Sequence, residues 1–523
     1  MITDFDVVVV GSGAGGLTGA LRAAGRGLRV LVLEKADVVG GTAALTGGGL
    51  WAPANSWLAA AGVDDSLEQA AAYLDRTVGD RTPRAMRQAF LEAAAATVDW
   101  LATRGVRFAW MPGFPDYHPD EPGGRITGRS IAPAPVRRED ADRLRHPLRD
   151  KLPVGDGGPA LRAVDSKGRL WGGRSLIAQL LLACQDAAVQ VWTCSPFLDL
   201  VRDGDRVVAV RARHDGAEVE IAAPAGVLLA AGGFEHNPEL RARWQDPAVQ
   251  HGRWSLGVPT NTGDGIAAGI EAGAATDLLE DSWWTPGVVR PDGGVSFLLW
   301  ERTAPVGFVV DRSGRRWINE GIAYNSFGQA MRAAGAIPCW QVFDQHALDT
   351  YGYAGLAPGD DTRPWLEAGC LHRADAVADL ADEIAVPGLV ETVGRWNVLA
   401  EKGVDEDFGR GAEGSYERQL LSVFQGYPGV VGGHDFPNPS LAPLGGGPFY
   451  AAPVVLADLG TKGGLVCDER ARVTRPDGSA VPGLYACGNT MASVMGHAYP
   501  GPGSCITPGM AFAWLAADDM EVR

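Results

Sequence analysis

The sequence predicts an α/β protein whose main domain is built from both ends of the chain around a large insertion. Three observations carry that reading. Residues 5–34, FDVVVVGSGAGGLTGALRAAGRGLRVLVLE, give an apolar strand, a glycine loop, an Ala-rich helix and a second strand. Two further short apolar strands run into glycine far downstream, VLLAAGG at 227–233 and GLYACGN at 483–489. Between them, residues 340–430 carry helical periodicity and several charges but no glycine loop of this kind.

A chain of 523 residues exceeds one hydrophobic core and divides into two or three lobes. Its 46% hydrophobic and 21% charged residues are those of a soluble globule, and a formal charge of -17 argues against nucleic acid or an anionic membrane as partner. The 7 cysteines (184, 194, 339, 370, 467, 487 and 505) show no paired spacing. Reduced thiols and a cytoplasmic location are expected. No CxxC or HxxxH pattern proposes a metal, and MITDFDVVVVG enters a strand without the basic start of a signal peptide. No apolar run reaches the ~18 residues of a membrane span.

The first strand and helix enclose Gly11, Ser12, Gly13, Ala14, Gly15 and Gly16, a GxGxxG, and Glu34 ends the second strand, followed by Lys35. Each glycine has a task. Gly11 permits the sharp turn, Gly13 lets the backbone approach a pyrophosphate, and Gly16 lets helix and strand pack closely. The helix N-terminus then holds phosphate, and Glu34 accepts from an adenosine ribose. This unit fits NAD or FAD. A second Gly-rich stretch, with Gly41, Thr42 and Gly47-Gly48-Gly49, favours the bulkier ring system of FAD, and there is no second GxGxxG for a nicotinamide. Ala231, Gly232 and Gly233 close one downstream strand and Gly488 and Asn489 the other; Asn261 and Asp264 lie in TNTGDG at 260–265.

Taken together, GSGAGGL, LEK, GGTAALTGGGLW, TNTGDG, AAGGFEHN, GLYACGN and GHAYPGPG at 496–503 resemble the FAD-dependent 3-ketosteroid Δ1-dehydrogenases, in the fumarate reductase/succinate dehydrogenase-type flavoprotein superfamily. The likeness is collinear over nearly the whole chain, and the GHxYPGPG loop is its most specific part. The resemblance implies a Rossmann-type FAD-binding domain at 1–284 and 456–523 and an inserted α+β catalytic domain at 285–455. It also implies noncovalent FAD, a 3-ketosteroid substrate and an external electron acceptor such as a quinone.

Desaturating a ketone beside its carbonyl removes a proton from the α carbon and a hydride from the β carbon. The carbonyl oxygen must be held by donors that strengthen as charge builds, and a base must face the α hydrogen. By resemblance, the Tyr499 hydroxyl and the Gly503 N–H hold the C3 ketone. Tyr324, ending GRRWINEGIAYN at 314–325, takes the C2 proton, and Tyr117, in GFPDYHPDEPGG at 113–124, assists it. The C1 hydride passes to flavin N5. Pro500 and Pro502 stiffen the loop. Thr507 is read as a helix N-cap with Pro508 at the first helical position, so that the helix after Ile506 aims its positive end at the flavin.

Asn489 is expected to hold the ribityl chain and His497 to order the loop; His118 is read as exposed, and Cys487 and Cys505 as packing residues. Residues 131–172, charged and unlike the family, read as a surface excursion. Three alternatives remain at this level. One is Δ4 desaturation of 3-keto-5α-steroids. Another is a fumarate-type reductase, whose relatives place an arginine in a C-terminal loop that here carries Tyr499 and no arginine. The last is a flavin-binding electron carrier without steroid turnover.

Overall fold

A computed structural model describes residues 2–150, 169–425 and 436–521. Its central sheet has six strands, in spatial order Arg472–Thr474, Ala480–Ala486, Gly226–Leu229, Val7–Val10, Val30–Leu33 and Gln190–Trp192. All neighbours are parallel except the first two, which form an antiparallel pair. Val8 and Leu31 lie in register, as do Val8 and Val227. VVVV, VLVL and GVLL are buried throughout because a parallel sheet is covered on both faces. Strands Val7–Val10 and Ala480–Ala486 thus flank one strand of the middle, Gly226–Leu229.

Helix Ala14–Gly25 follows the first strand, and Gly11 makes the turn at φ 105°. The C-terminal helix Thr507–Asp519 lies against it. Arg22 ties the pair by donating to Asp518 at 2.7 and 3.0 Å. A Cβ at Gly19 would sit 3.3 Å from the Ala513 carbonyl oxygen, so the small residue sets how near the helices come.

A second sheet is antiparallel at each of these pairings: Val295–Phe297, Ser282–Val289, Phe449–Thr461, Cys339–Asp344 and Phe308–Val310. Helix Tyr324–Ala334 packs on strand Ser282–Val289, where Gly328 meets Trp284 so closely that a Cβ would lie 2.7 Å from the Trp284 Cβ. The positions that divide the chain in the sequence reading, 284/285 and 455/456, fall inside two of these paired strands. Arg241, in helix Pro238–Trp244, and Asp458, in strand Phe449–Thr461, are both almost fully buried and join at 2.9 Å.

Part of the charged segment 131–172 lies outside the described residues. What is described of it is ordered into the fold: Ser130–Pro133 is the middle strand of a small sheet with Leu50–Trp51 and Phe108–Trp110, and Val136 pairs with Leu170. Those stretches are not an excursion; apolar Ile131, wholly buried in the core, holds them down. Among the described residues no helix is long and apolar enough to cross a membrane, and all seven cysteines are free.

Candidate active site

One cavity of about 910 Å³ runs from the glycine loops to the phenols. Helix Ala14–Gly25 starts at Gly13, with no side chain capping its first N–H groups. Those donors are the orphans that an anion satisfies. The glycines divide into two kinds. A Cβ at Gly16 would lie 2.0 Å from the Gly11 carbonyl oxygen, and one at Gly11 would lie 2.3 Å from the Ala230 carbonyl oxygen. A Cβ at Gly13 meets no protein atom within 4 Å. Gly16 and Gly11 are closed by the protein itself, whereas Gly13 opens on the cavity, where a pyrophosphate needs approach. The residues present fit a dinucleotide.

Ser12, Ala14, Gly15, Glu34, Lys35, Gly41, Thr42, Gly47, Gly48, Gly49, Ala231, Gly232, Asn261, Asp264, Gly488, Asn489 and Ile506 line the same cavity. Glu34 already accepts from the Ser12 hydroxyl at 2.5 Å and from the Ala36 N–H at 2.8 Å, which fixes its carboxylate at the strand end. Lys35 is paired with Asp264 at 2.7 Å. Asn261 braces the loops by donating to Glu235 at 2.6 Å and to Thr42 at 3.1 Å. The Asn489 amide oxygen accepts from the Trp283 indole at 3.1 Å. Gly233 does not line the cavity. It is small because a Cβ would fall 2.0 Å from the Thr461 hydroxyl oxygen.

At the other end three phenols converge. Tyr117 donates to the Tyr324 hydroxyl at 3.2 Å, and the ring centroids of Tyr117, Tyr324 and Tyr499 are 5.1 to 5.3 Å apart in each pair. Three segments far apart in sequence supply them: a loop, the first residue of helix Tyr324–Ala334, and the GHAYPGPG loop. Burial pushes all three phenols well above their ordinary range, and for Tyr324 the hydrogen bond from Tyr117 works in the opposite direction, favouring the phenolate. Phe297, Leu299, Phe114 and Phe424 wall this end, which is apolar.

The Tyr499 loop is pinned along its length. Lys462, buried, donates to the His497 and Ala498 carbonyls at 2.7 and 2.8 Å, and the Ser130 hydroxyl donates to the Pro502 carbonyl at 2.7 Å. Gly503 has φ 99°, which few residues other than glycine adopt. Its N–H donates to no backbone acceptor among the described residues, while its carbonyl takes the N–H groups of Ile506 and Thr507. His497 is bonded to Asp281 at 2.8 Å and so does sit in the loop's support.

Three expectations need correction. Thr507 is the first helical residue and not the cap, because its hydroxyl turns back to the Gly503 carbonyl at 3.2 Å; Pro508 is consequently second. His118 is half-buried, and burial lowers its pKa. Cys505 does more than pack: it lines the cavity and its sulfur accepts from the Tyr499 hydroxyl at 2.9 Å. Sequence reasoning also missed Trp283, whose ring lies 5.0 Å from that of Tyr499 and 4.4 Å from the Lys462 ammonium. A Trp-Trp pair in a strand carries no signal beyond burial.

Comparisons with known proteins agree with this geometry. The "FAD binding domain" family model matches residues 6–506. A 3-oxosteroid 1-dehydrogenase of Mycolicibacterium smegmatis is 38% identical over 570 residues, covering 99% of this chain and 97% of that one. A 4-oxocyclohexanecarboxylate 2-dehydrogenase of Sinomonas cyclohexanicum is 34% identical over 551 residues, covering 98% and 92%. The crystal structure of 3-ketosteroid delta1-dehydrogenase from Sterolibacterium denitrificans, in complex with 1,4-androstadiene-3,17-dione, superposes with a TM-score of 0.87 at 32% identity over 99% of each chain. The chain belongs to the FAD-binding flavoprotein family and, within it, to the FAD-dependent oxidoreductases that include the 3-oxosteroid 1-dehydrogenases.

Proposed function

We propose that the protein desaturates 3-ketosteroids between C1 and C2, with an external acceptor reoxidising its FAD. The observation that carries this reading is the convergence of Tyr117, Tyr324 and Tyr499 at the apolar end of the cofactor cavity. Tyr499 donates its hydroxyl hydrogen to the C3 ketone, and the Gly503 N–H, which donates to no backbone acceptor among the described residues, is the second donor. Both bonds strengthen as the oxygen gains charge. Tyr324 takes the proton from C2 as a phenolate, and Tyr117 shares that negative charge through its hydrogen bond. When bound, FAD supplies the acceptor for the hydride that leaves C1. The Tyr499 hydroxyl, which donates to the Cys505 sulfur at 2.9 Å, turns to the ketone when substrate binds.

The cavity lining also bears on substrate charge. Lys35 is its one cation among the described residues, and Asp264 neutralises it at the cofactor end. A dicarboxylate finds no partner near the phenols, which disfavours fumarate-type reduction and the smaller keto acid of the Sinomonas relative. The proposal is tested by adding androstenedione anaerobically to the yellow protein. The flavin is expected to bleach and the product to be the 1,4-diene, two hydrogens lighter by mass. Tyr324→Phe is expected to slow that bleaching by about a thousandfold, the weight of a positioned general base. An undiminished rate removes Tyr324 from the reaction, and a 4-ene made from a 5α-steroid moves the chemistry to C4–C5.

A further inference from the structure

Tyr73 takes no part in the chemistry above, lines no part of the cavity and is fully buried in helix Leu67–Thr77. Its hydroxyl nevertheless stands between two of the reactive segments. It donates to the Pro500 carbonyl at 2.6 Å and accepts the His118 N–H at 3.1 Å. The same Pro500 carbonyl also accepts the Tyr117 N–H at 2.8 Å. One oxygen, in the residue directly after Tyr499, therefore receives both the Tyr73 phenol and the backbone of Tyr117. Proline has no N–H, so this carbonyl is the only backbone hydrogen-bonding group Pro500 offers.

We propose that Tyr73 is a positioning residue, a clasp that sets the separation between the Tyr117 segment and the Tyr499 loop. This rests on the reading of those two phenols given above. The clasp has a rigid mount. The Tyr73 ring lies 6.1 Å from that of Trp51, and the Arg129 guanidinium sits 5.6 Å from its centroid. Arg129 is itself buried and bonded to Asp65 and Asp116, the latter the residue before Tyr117. The phenol uses its single hydrogen on one segment and a lone pair on the other. No side chain without a hydroxyl at that reach repeats both bonds.

Burial also pushes the Tyr73 hydroxyl well above its ordinary titration range, so it keeps its hydrogen throughout the working pH range. The bond to Pro500 is thus permanent, and the device is mechanical. A base and a clamp separated by a wrong fraction of an ångström lose rate before they lose affinity, since the apolar walls still take up the ligand.

Tyr73→Phe removes one oxygen and keeps the ring. In the FAD-loaded full chain, flavin reduction at saturating androstenedione is expected to slow about tenfold or more, with the half-saturating concentration changed less than about threefold. Exchange of C2 hydrogen for solvent deuterium is expected to slow in parallel, because it reports enolisation alone. Tyr485→Phe, which loses a partly buried bond to Asp519 outside the cavity, is the control: its stability falls and its rate does not. A Tyr73→Phe enzyme that melts earlier but reduces flavin at the wild-type rate overturns the proposal. Amide hydrogen exchange gives an answer that needs no steroid. Segments 113–124 and 496–505 are expected to lose protection together, and loosening of one alone, or of neither, overturns the clasp. Should the wild type fail with every steroid while the two segments loosen together, the substrate reading falls and the clasp stands.

Discussion

At the scale of single residues, the site is three phenols whose ionisation burial opposes. In the mechanism proposed above Tyr324 acts as a phenolate, and burial raises its pKa, so the ionised fraction is small at neutral pH and grows as pH rises. Flavin reduction by androstenedione is expected to accelerate steadily from about pH 7 to about pH 9, measured by stopped flow; a flat profile there denies the phenolate its role. Lys462 behaves in a different way. Burial pushes its ammonium down to about 8, against the pull of Asp281 at 3.8 Å. Because the folded value lies below the ordinary 10.5, the unfolded chain holds the proton more tightly between those limits. The contribution to stability is full above the upper limit and lost as pH falls through the lower. Urea titrations of wild type are expected to gain on the order of 1–3 kcal/mol from this group between the two limits, and Lys462→Met to lack that gain.

At the scale of elements, the strand–loop–helix unit was legible in outline, because Gly11 and Gly16 sit where backbone leaves no room for a Cβ. The difference between Gly16 and Gly13 yields a prediction. Gly16→Ala forces a methyl against the Gly11 carbonyl and is expected to give little folded protein. Gly13→Ala has open space, so it is expected to fold with an unaltered circular dichroism spectrum yet purify colourless, since its methyl occupies the approach of the pyrophosphate. Retained yellow colour in Gly13→Ala would contradict the assignment of that space. Other features were less visible. Thr507 carries the residue type of a cap, but a cap depends on which carbonyl its hydroxyl reaches, and that follows from the fold of the preceding turn. Gly233 follows the same strand-end pattern as Gly232, and only its neighbour Thr461, more than two hundred residues on, reveals its different reason for being small. Tyr73 sits in an alanine-rich helix among core positions, where one hydroxyl's long-range partners leave no periodic trace.

At the scale of the whole molecule, the cofactor cavity is lined by segments from both ends of the chain and from the middle. FAD held there would touch all three, and it is expected to stabilise the protein as a unit. At one hundred times its dissociation constant, FAD should add about 2.7 kcal/mol, and scanning calorimetry should show the transition moving up as one peak. A component that melts at an FAD-independent temperature would mark a lobe outside that unit. The buried Arg241–Asp458 pair belongs to this scale as well, since it joins a helix and a strand more than two hundred residues apart where neither partner is exposed. The collinear resemblance made the two-ended assembly readable. The pairing of residues such as Leu228 with both Val9 and Tyr485 was not, because register between strands hundreds of residues apart is set by the packed whole.

The place of strand Ala480–Ala486 beside Gly226–Leu229 carries a consequence for biosynthesis. A ribosome delivers the nucleotide-binding turn more than four hundred residues before the strand and helix that complete the chamber. The opening strands of the nascent protein stay only half sandwiched until those later residues have emerged. Chaperones have their longest opportunity during that interval, and a stop codon ahead of residue 480 should leave a polypeptide that never turns yellow.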